Sequence, residues 1–245
     1  MKNGKHVPAA IIAMAIGLGS GGCGRGDQAA TAAAQQAARA ATAEQAAKPG
    51  EAAFEQAIAA ENWSLAKAHA DVLMASYPDT QAAARVRTRY DAIKDKAKAA
   101  KEQLRLQALW SYNVEKVEGG RQLSASLYAR DETTVGDGKK SPVRLIFRDH
   151  PAWGRSSYLV LQSGDFDCYR GCRLNVTTDD GAVKTFAGSR PKTDEAIAMF
   201  IEDERALWRL AKSAKTLSIE FPLKDAGKQT AVFETGGVDA TKLAW

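Results

Sequence analysis

Val143-Arg144-Leu145-Ile146-Phe147 decides the fold, because Val143, Leu145 and Phe147 fall on every second residue. An extended chain turns successive side chains to opposite faces, so this spacing predicts a strand with one face against a core. The alternation recurs on both sides. It carries Trp110, Tyr112 and Val114; Leu123, Ala125, Leu127 and Ala129; Tyr158, Val160 and then Phe166; Leu174 and Val176; Leu217, Ile219 and Phe221; and Val232 with its neighbours. Gly119-Gly120, Asp137-Gly138 and Asp179-Asp180-Gly181 supply the left-handed backbone positions that tight hairpins need. One helix interrupts the series, from about Asp203 as its cap to Ala214, with Leu207, Leu210, Ala211 and Ala214 inward. Fourteen of the 18 aromatic residues lie from Trp110 onward, which places a domain boundary there.

Upstream the spacing becomes helical. Phe54, Ala57 and Ile58, then Trp63, Ala66, Ala70, Leu73 and Tyr77, recur at three and four residues and stop at Pro78, with Asn62 as a cap. A further helix is expected from Thr80 to Leu109, about 45 Å long at helical rise. Its apolar stripe is Val86, Tyr90, Ile93, Ala97, Ala100 and Leu104, and its other side is basic. That side reads as a solvated face balanced by Asp91, Asp95 and Glu102 or, more sharply, as a contact for an anionic partner through Arg85, Arg89 and Lys96. Residues 24–50 hold no large apolar side chain, and 12 of the 19 residues from Ala29 to Ala47 are alanine. They predict a spacer, either a fraying helix or a flexible tether, ended by Pro49-Gly50.

The first 22 residues read as an export signal: Lys2, Lys5 and His6 precede an apolar run from Ala9 to Gly19. That run falls well short of the roughly 20 residues a membrane-spanning helix needs. Ser20-Gly21-Gly22-Cys23 resembles the bacterial lipoprotein processing site, which implies a lipid on Cys23 and, with Gly24 following, sorting to the outer membrane. The net charge of +5 falls to +3 once Lys2 and Lys5 are removed, so no nucleic-acid partner is expected.

Cys168-Tyr169-Arg170-Gly171-Cys172 is the most specific local constellation. Three intervening residues and a glycine suit a small disulfide loop beside a strand, and such a pair leaves Cys23 as the odd thiol for acylation. Thiol exchange is the weaker reading, since that motif has two intervening residues and opens a helix. Metal binding is weaker still, with only His69 and His150 outside the signal. Ser156 and Ser157 lack a nucleophile elbow, and Asp149-His150-Pro151 reads as a strand end. Asp165, Asp167, Asp179 and Asp180 lack the calcium-loop spacing. No catalytic residue, metal or cofactor is expected.

Two family resemblances extend this. Glu61 through Thr80 resembles one tetratricopeptide-like hairpin, with no second copy to build a solenoid. Val143 through Gly154, Gly164-Asp165-Phe166-Asp167-Cys168, Cys172 through Val176, Asp179-Asp180-Gly181, Phe200 through Asp203 and Ala214 through Glu220 resemble a domain of uncharacterised proteobacterial envelope lipoproteins. A looser likeness is to lipoproteins of type VI secretion. The resemblance implies an exported β-rich domain with a paired-cysteine loop.

The expected protein is therefore α+β. A signal peptide (1–22) and a lipidated tether (23–50) precede a helical hairpin plus long helix (51–109). An antiparallel β-sandwich or open barrel with one covering helix follows (110–245). The expected function is non-catalytic: a lipid-anchored, periplasm-facing outer-membrane protein that binds or scaffolds an envelope protein or cell-wall component, with Tyr169 and Arg170 as further contact candidates. The alternatives are a hydrolase of cell-wall or lipid substrates and, behind it, a thiol oxidoreductase.

Overall fold

The computed structural model describes residues 26–193 and 196–243, so the signal segment and Cys23 lie outside the described residues. Among the described residues four helices come first: α1 (Gly26–Ala59), α2 (Trp63–Ser76), α3 (Gln81–Arg87) and α4 (Tyr90–Ala108). Phe54, Ala57, Ala66, Ala70, Leu73, Val86 and Ile93 form their shared core, the residues whose spacing predicted it. Asn62 caps α2 as expected, its side-chain oxygen accepting from the Leu65 N–H at 3.1 Å.

Two boundaries differ from expectation. Pro49-Gly50 does not end the first helix, which runs through to Ala59 with Pro49 inside it. Proline removes one backbone hydrogen bond, but α1 is held on both sides of it by the burial of Ala47, Phe54 and Ala57. A Cβ on Gly50 would stand 3.2 Å from Leu73 Cδ1, so the glycine marks where α2 packs close. Residues 27–42 are exposed on every side, giving a helical extension of about 24 Å. High alanine propensity and a nucleus already formed in the packed half favour it.

The second difference is a break at Thr88-Arg89 in the long helix. The Thr88 hydroxyl donates to the Arg85 carbonyl at 2.7 Å and the Arg89 N–H to the Val86 carbonyl at 3.0 Å, a tightened turn that redirects the chain into α4. Thr80 caps α3, and the Glu44 carboxylate of α1 accepts from the Gln81 and Ala82 N–H groups. These are first-turn donors with no partner inside their own helix.

The β domain follows directly. Its elements are β1 (Ser111–Val117), β2 (Gly120–Tyr128), β3 (Thr133–Thr134), β4 (Lys140–Ser141), β5 (Val143–His150), β6 (Gly154–Leu161), β7 (Cys172–Thr178), β8 (Val183–Ser189), β9 (Ala198–Ile201), α5 (Glu204–Ser213), β10 (Leu217–Leu223) and β11 (Gly227–Phe233). Nine strands form one antiparallel sheet in the order β1-β2-β5-β6-β9-β8-β7-β10-β11, with β3 and β4 paired separately. This is the open alternative: the sheet does not close into a barrel. Its inner residues nevertheless make one core, into which α5 inserts Leu207, Trp208 and Ala211. The Arg130 N–H, just past β2, reaches the Val232 carbonyl of edge strand β11 at 2.8 Å, so the two ends of the sheet approach each other.

Val143, Leu145 and Phe147 are buried as the alternation requires. In β6 the inward residues are Ser157, Leu159 and Leu161, so Tyr158 and Val160 face outward. Strands β8 and β9 escaped the sequence reading because β8 buries only Phe186 and Gly188, and β9 spans four residues.

Residues 234–243 strap the modules together. Arg105 of α4 reaches Glu234 at 2.6 Å and Gln103 the Gly236 carbonyl at 3.4 Å. A Cβ on Gly237 would lie 2.1 Å from backbone carbon of Leu106, so the strap meets α4 backbone to backbone. Tyr112 Oη accepts from the Asp239 N–H at 2.6 Å.

Candidate functional site

The basic side chains proposed as contacts on the helices are engaged within the module. Arg85 donates to both carboxylate oxygens of Glu51, at 2.6 and 2.7 Å, and this pairing holds the Glu51 carboxyl below its usual range. Arg89 pairs with Glu55 and lies 5.2 Å over the Phe54 ring. Lys96 Nζ sits 4.0 Å over Trp63. These contacts clamp α3 and α4 onto α1 and α2, which gives the cations an internal role.

Cys168 and Cys172 form a disulfide. Cys168 is 1% exposed and Cys172 Sγ packs 3.6 Å from Met199 Sδ. Gly188 of β8 covers the bridge: a Cβ there would be 2.9 Å from Cys172 Sγ. Replacing both cysteines with serine is expected to lower stability by about 2 kcal/mol, the chain-entropy value for so short a loop. Chemical unfolding of oxidised chain and double variant checks it, and equal midpoints would contradict it. The loop leaves Tyr169 57% exposed, with the Arg190 guanidinium 5.8 Å from its ring, and Arg170 exposed.

The residues considered for catalysis are held apart by their partners. His150 Nδ1 accepts from the backbone N–H groups of Ala152 and Trp153 at 3.1 and 3.3 Å, which shapes the β5–β6 turn and places the proton of a neutral ring on Nε2. Ser157 donates to the Ile201 carbonyl at 2.9 Å, on the inner face and three register steps from His150. Asp179 accepts from the Lys215 and Thr216 N–H groups, which hold its carboxyl below the usual range. Asp180 accepts from Thr178 and Ala182. Among the described residues, no group of three or more His, Cys, Asp or Glu side chains is disposed to hold a metal ion.

What the sequence reading missed is the outer face of the central strands. Arg144 of β5 lies 5.4 Å from the ring of Tyr128 of β2 and donates to Ser126 Oγ at 2.7 Å. Arg148 lies 5.2 Å from Tyr158 and 5.4 Å from Trp153, and donates to Ser156 Oγ at 3.3 Å. Tyr158 packs against Phe200 of β9 with centroids 5.4 Å apart. Trp153 stacks on His150 at 3.9 Å and 12° and is still 71% exposed. Tyr128, Arg144, Ile146 and Val160 line a groove of about 580 Å³ on this face. Cation–π contacts and serine hydroxyls fix these side chains in place before any ligand arrives. The signal was present as Arg144, Ile146, Tyr158 and Val160, the intervening residues of two strands, but which face they shared depended on the frame of β6.

Comparison with protein-family models, with curated proteins and with solved structures finds no match.

Proposed function

We propose that this chain is an exported, non-catalytic bacterial envelope lipoprotein, held to the outer membrane through Cys23 on its periplasmic side. In this reading α1 is the spacer and the β domain recognises another envelope component, a protein or cell-wall material. The observation that carries it is the fixed display of Tyr128, Trp153 and Arg148 on the outer face, with Tyr169 and Arg170 at the disulfide corner: aromatic and arginine side chains anchor interfaces best. A disulfide suits an oxidising compartment, and the resemblance of residues 142–245 to envelope lipoproteins belongs to the same proposal.

Photoreactive phenylalanine placed at Tyr128, Trp153 or Tyr169 in the native cell tests recognition. A discrete adduct, lost from the Tyr169 probe on Arg170→Ala or from the Trp153 probe on Arg148→Ala, is the expected result. Palmitate labelling lost in Cys23→Ser, with release from the membrane fraction, tests anchoring in the same strains. An unlabelled parent chain in the cytosol, free of adducts at all three positions, overturns the reading.

A further inference from the structure

Away from the outer face, α5 buries Ala206, Leu207, Trp208 and Ala211 and turns Arg205, Arg209 and Lys212 outward. Steps of four and three residues keep these cations on one side of the helix. Opposite them β6 contributes Arg155, and together with Trp208 the four cations line a cleft of about 320 Å³. Arg155 is positioned by Asp149 across the hairpin at 3.4 Å. Among the described residues no carboxylate pairs with Arg205, Arg209 or Lys212, whereas Arg85, Arg89, Arg105 and Arg190 each meet one. Lys212 Nζ lies 5.9 Å from the ring of Trp208.

Three cations of α5 without a carboxylate partner, beside an Arg155 whose charge Asp149 offsets in part, repel one another across a concave, partly apolar site and focus a positive potential into it. An anion with several acceptor oxygens removes that repulsion, and guanidinium forks match the tetrahedral oxygens of phosphate in geometry as well as charge. We propose that the cleft between α5 and the β5–β6 hairpin binds a phosphate group, as free phosphate or diphosphate or as a phospholipid headgroup. This site is separate from the outer aromatic face and does not depend on the recognition assigned to it.

Full-length chain titrated with inorganic phosphate and with pyrophosphate, by calorimetry and tryptophan fluorescence, tests the soluble source. Co-sedimentation with phosphatidylglycerol against phosphatidylcholine vesicles at physiological salt tests the lipid source. Arg205→Gln/Arg209→Gln is expected to weaken whichever binding is seen by at least about tenfold, the effect of losing one charge-assisted hydrogen bond. Circular dichroism of the parent and variant verifies that both are folded, and Lys212→Gln alone gives a second, milder reading of the same site. A response to the soluble anions assigns the site to free phosphate. A preference for phosphatidylglycerol that the double variant loses assigns it to a headgroup. No response of the parent to either source, or responses unchanged in both variants, overturns the proposal.

Discussion

Asp165→Ala lowers the stability of the β domain by about 3–5 kcal/mol, the range for removing one partner of a buried ion pair. Arg190 and Asp165 have side chains only 5% and 11% exposed, and Arg190 Nη1 meets Asp165 Oδ1 at 2.5 Å. The same guanidinium donates to the carbonyls of Phe166 and Thr193 at 2.9 and 2.5 Å. Asp165 in turn accepts the Ala196 N–H at 2.9 Å, and its carbonyl accepts the Lys224 N–H at 2.9 Å. The carboxylate therefore joins the segment leaving β6 to the chain between β8 and β9, while the main-chain carbonyl of the same residue ties that segment to the residue after β10. Alanine leaves a guanidinium in a nearly dry site and frees an amide as well. Urea unfolding followed by circular dichroism measures the loss. The control is a cycle with Arg190→Met and Asp165→Leu: the double replacement removes both charges together, so its cost should fall well below the sum of the single ones. A loss under about 1 kcal/mol for Asp165→Ala would mean that water reaches Arg190 and that the pair behaves as a surface one.

None of that pair was legible in the sequence, and the reason is general to this chain. Local periodicity reports which residues share a face: it placed Val143, Leu145 and Phe147 inward and Leu73 and Ile93 in the helical core. It fails where both faces are apolar. Tyr158-Leu159-Val160-Leu161 has no polar residue to set its frame, and the burial of Leu159 and Leu161 is decided by pairing with β5 and β9. It also says nothing about partners distant in sequence. Arg85 reads as a solvated cation or a contact for an anionic partner because Glu51 lies 34 residues upstream, and Asp165, which lacks calcium-loop spacing, is left without a role because Arg190 lies 25 residues downstream. Pro49-Gly50 reads as a stop because local propensity favours one, and packing on Leu73 overrides it. The cleft cations of α5 are the opposite case. Arg205, Arg209 and Lys212 stand at helical spacing, but their convergence with Arg155 requires the β5–β6 hairpin to be in place.

Trp208 carries the second large effect. Helical spacing in the stretch after Asp203 picks out Leu207 and Ala211, yet the side chain that fills the core is the tryptophan between them, 2% exposed. Its ring meets Phe147 edge-on at 4.8 Å and Trp110 at 6.3 Å, and Trp110 stacks with Phe147 at 6.3 Å. Trp110 is one of the two residues linking α4 to β1, so this aromatic trio ties the covering helix, the middle of the sheet and the entry from the helical module into one contact set. Trp208→Ala empties the centre of it. Truncating a buried tryptophan costs about 3–5 kcal/mol, in lost transfer energy and the cavity left behind, a large part of the roughly 5–15 kcal/mol that holds a typical domain. Trp208→Phe retains an aromatic edge toward Phe147 and should cost clearly less, which separates packing at this position from nonspecific damage to α5. Thermal and urea unfolding read the difference. Near-UV circular dichroism should lose the contribution of these three rings in the alanine variant, since they lose their fixed arrangement together. Equal midpoints for the alanine variant and the parent would show that α5 lies loosely on the sheet; that result would also remove the fixed wall on which the phosphate cleft depends.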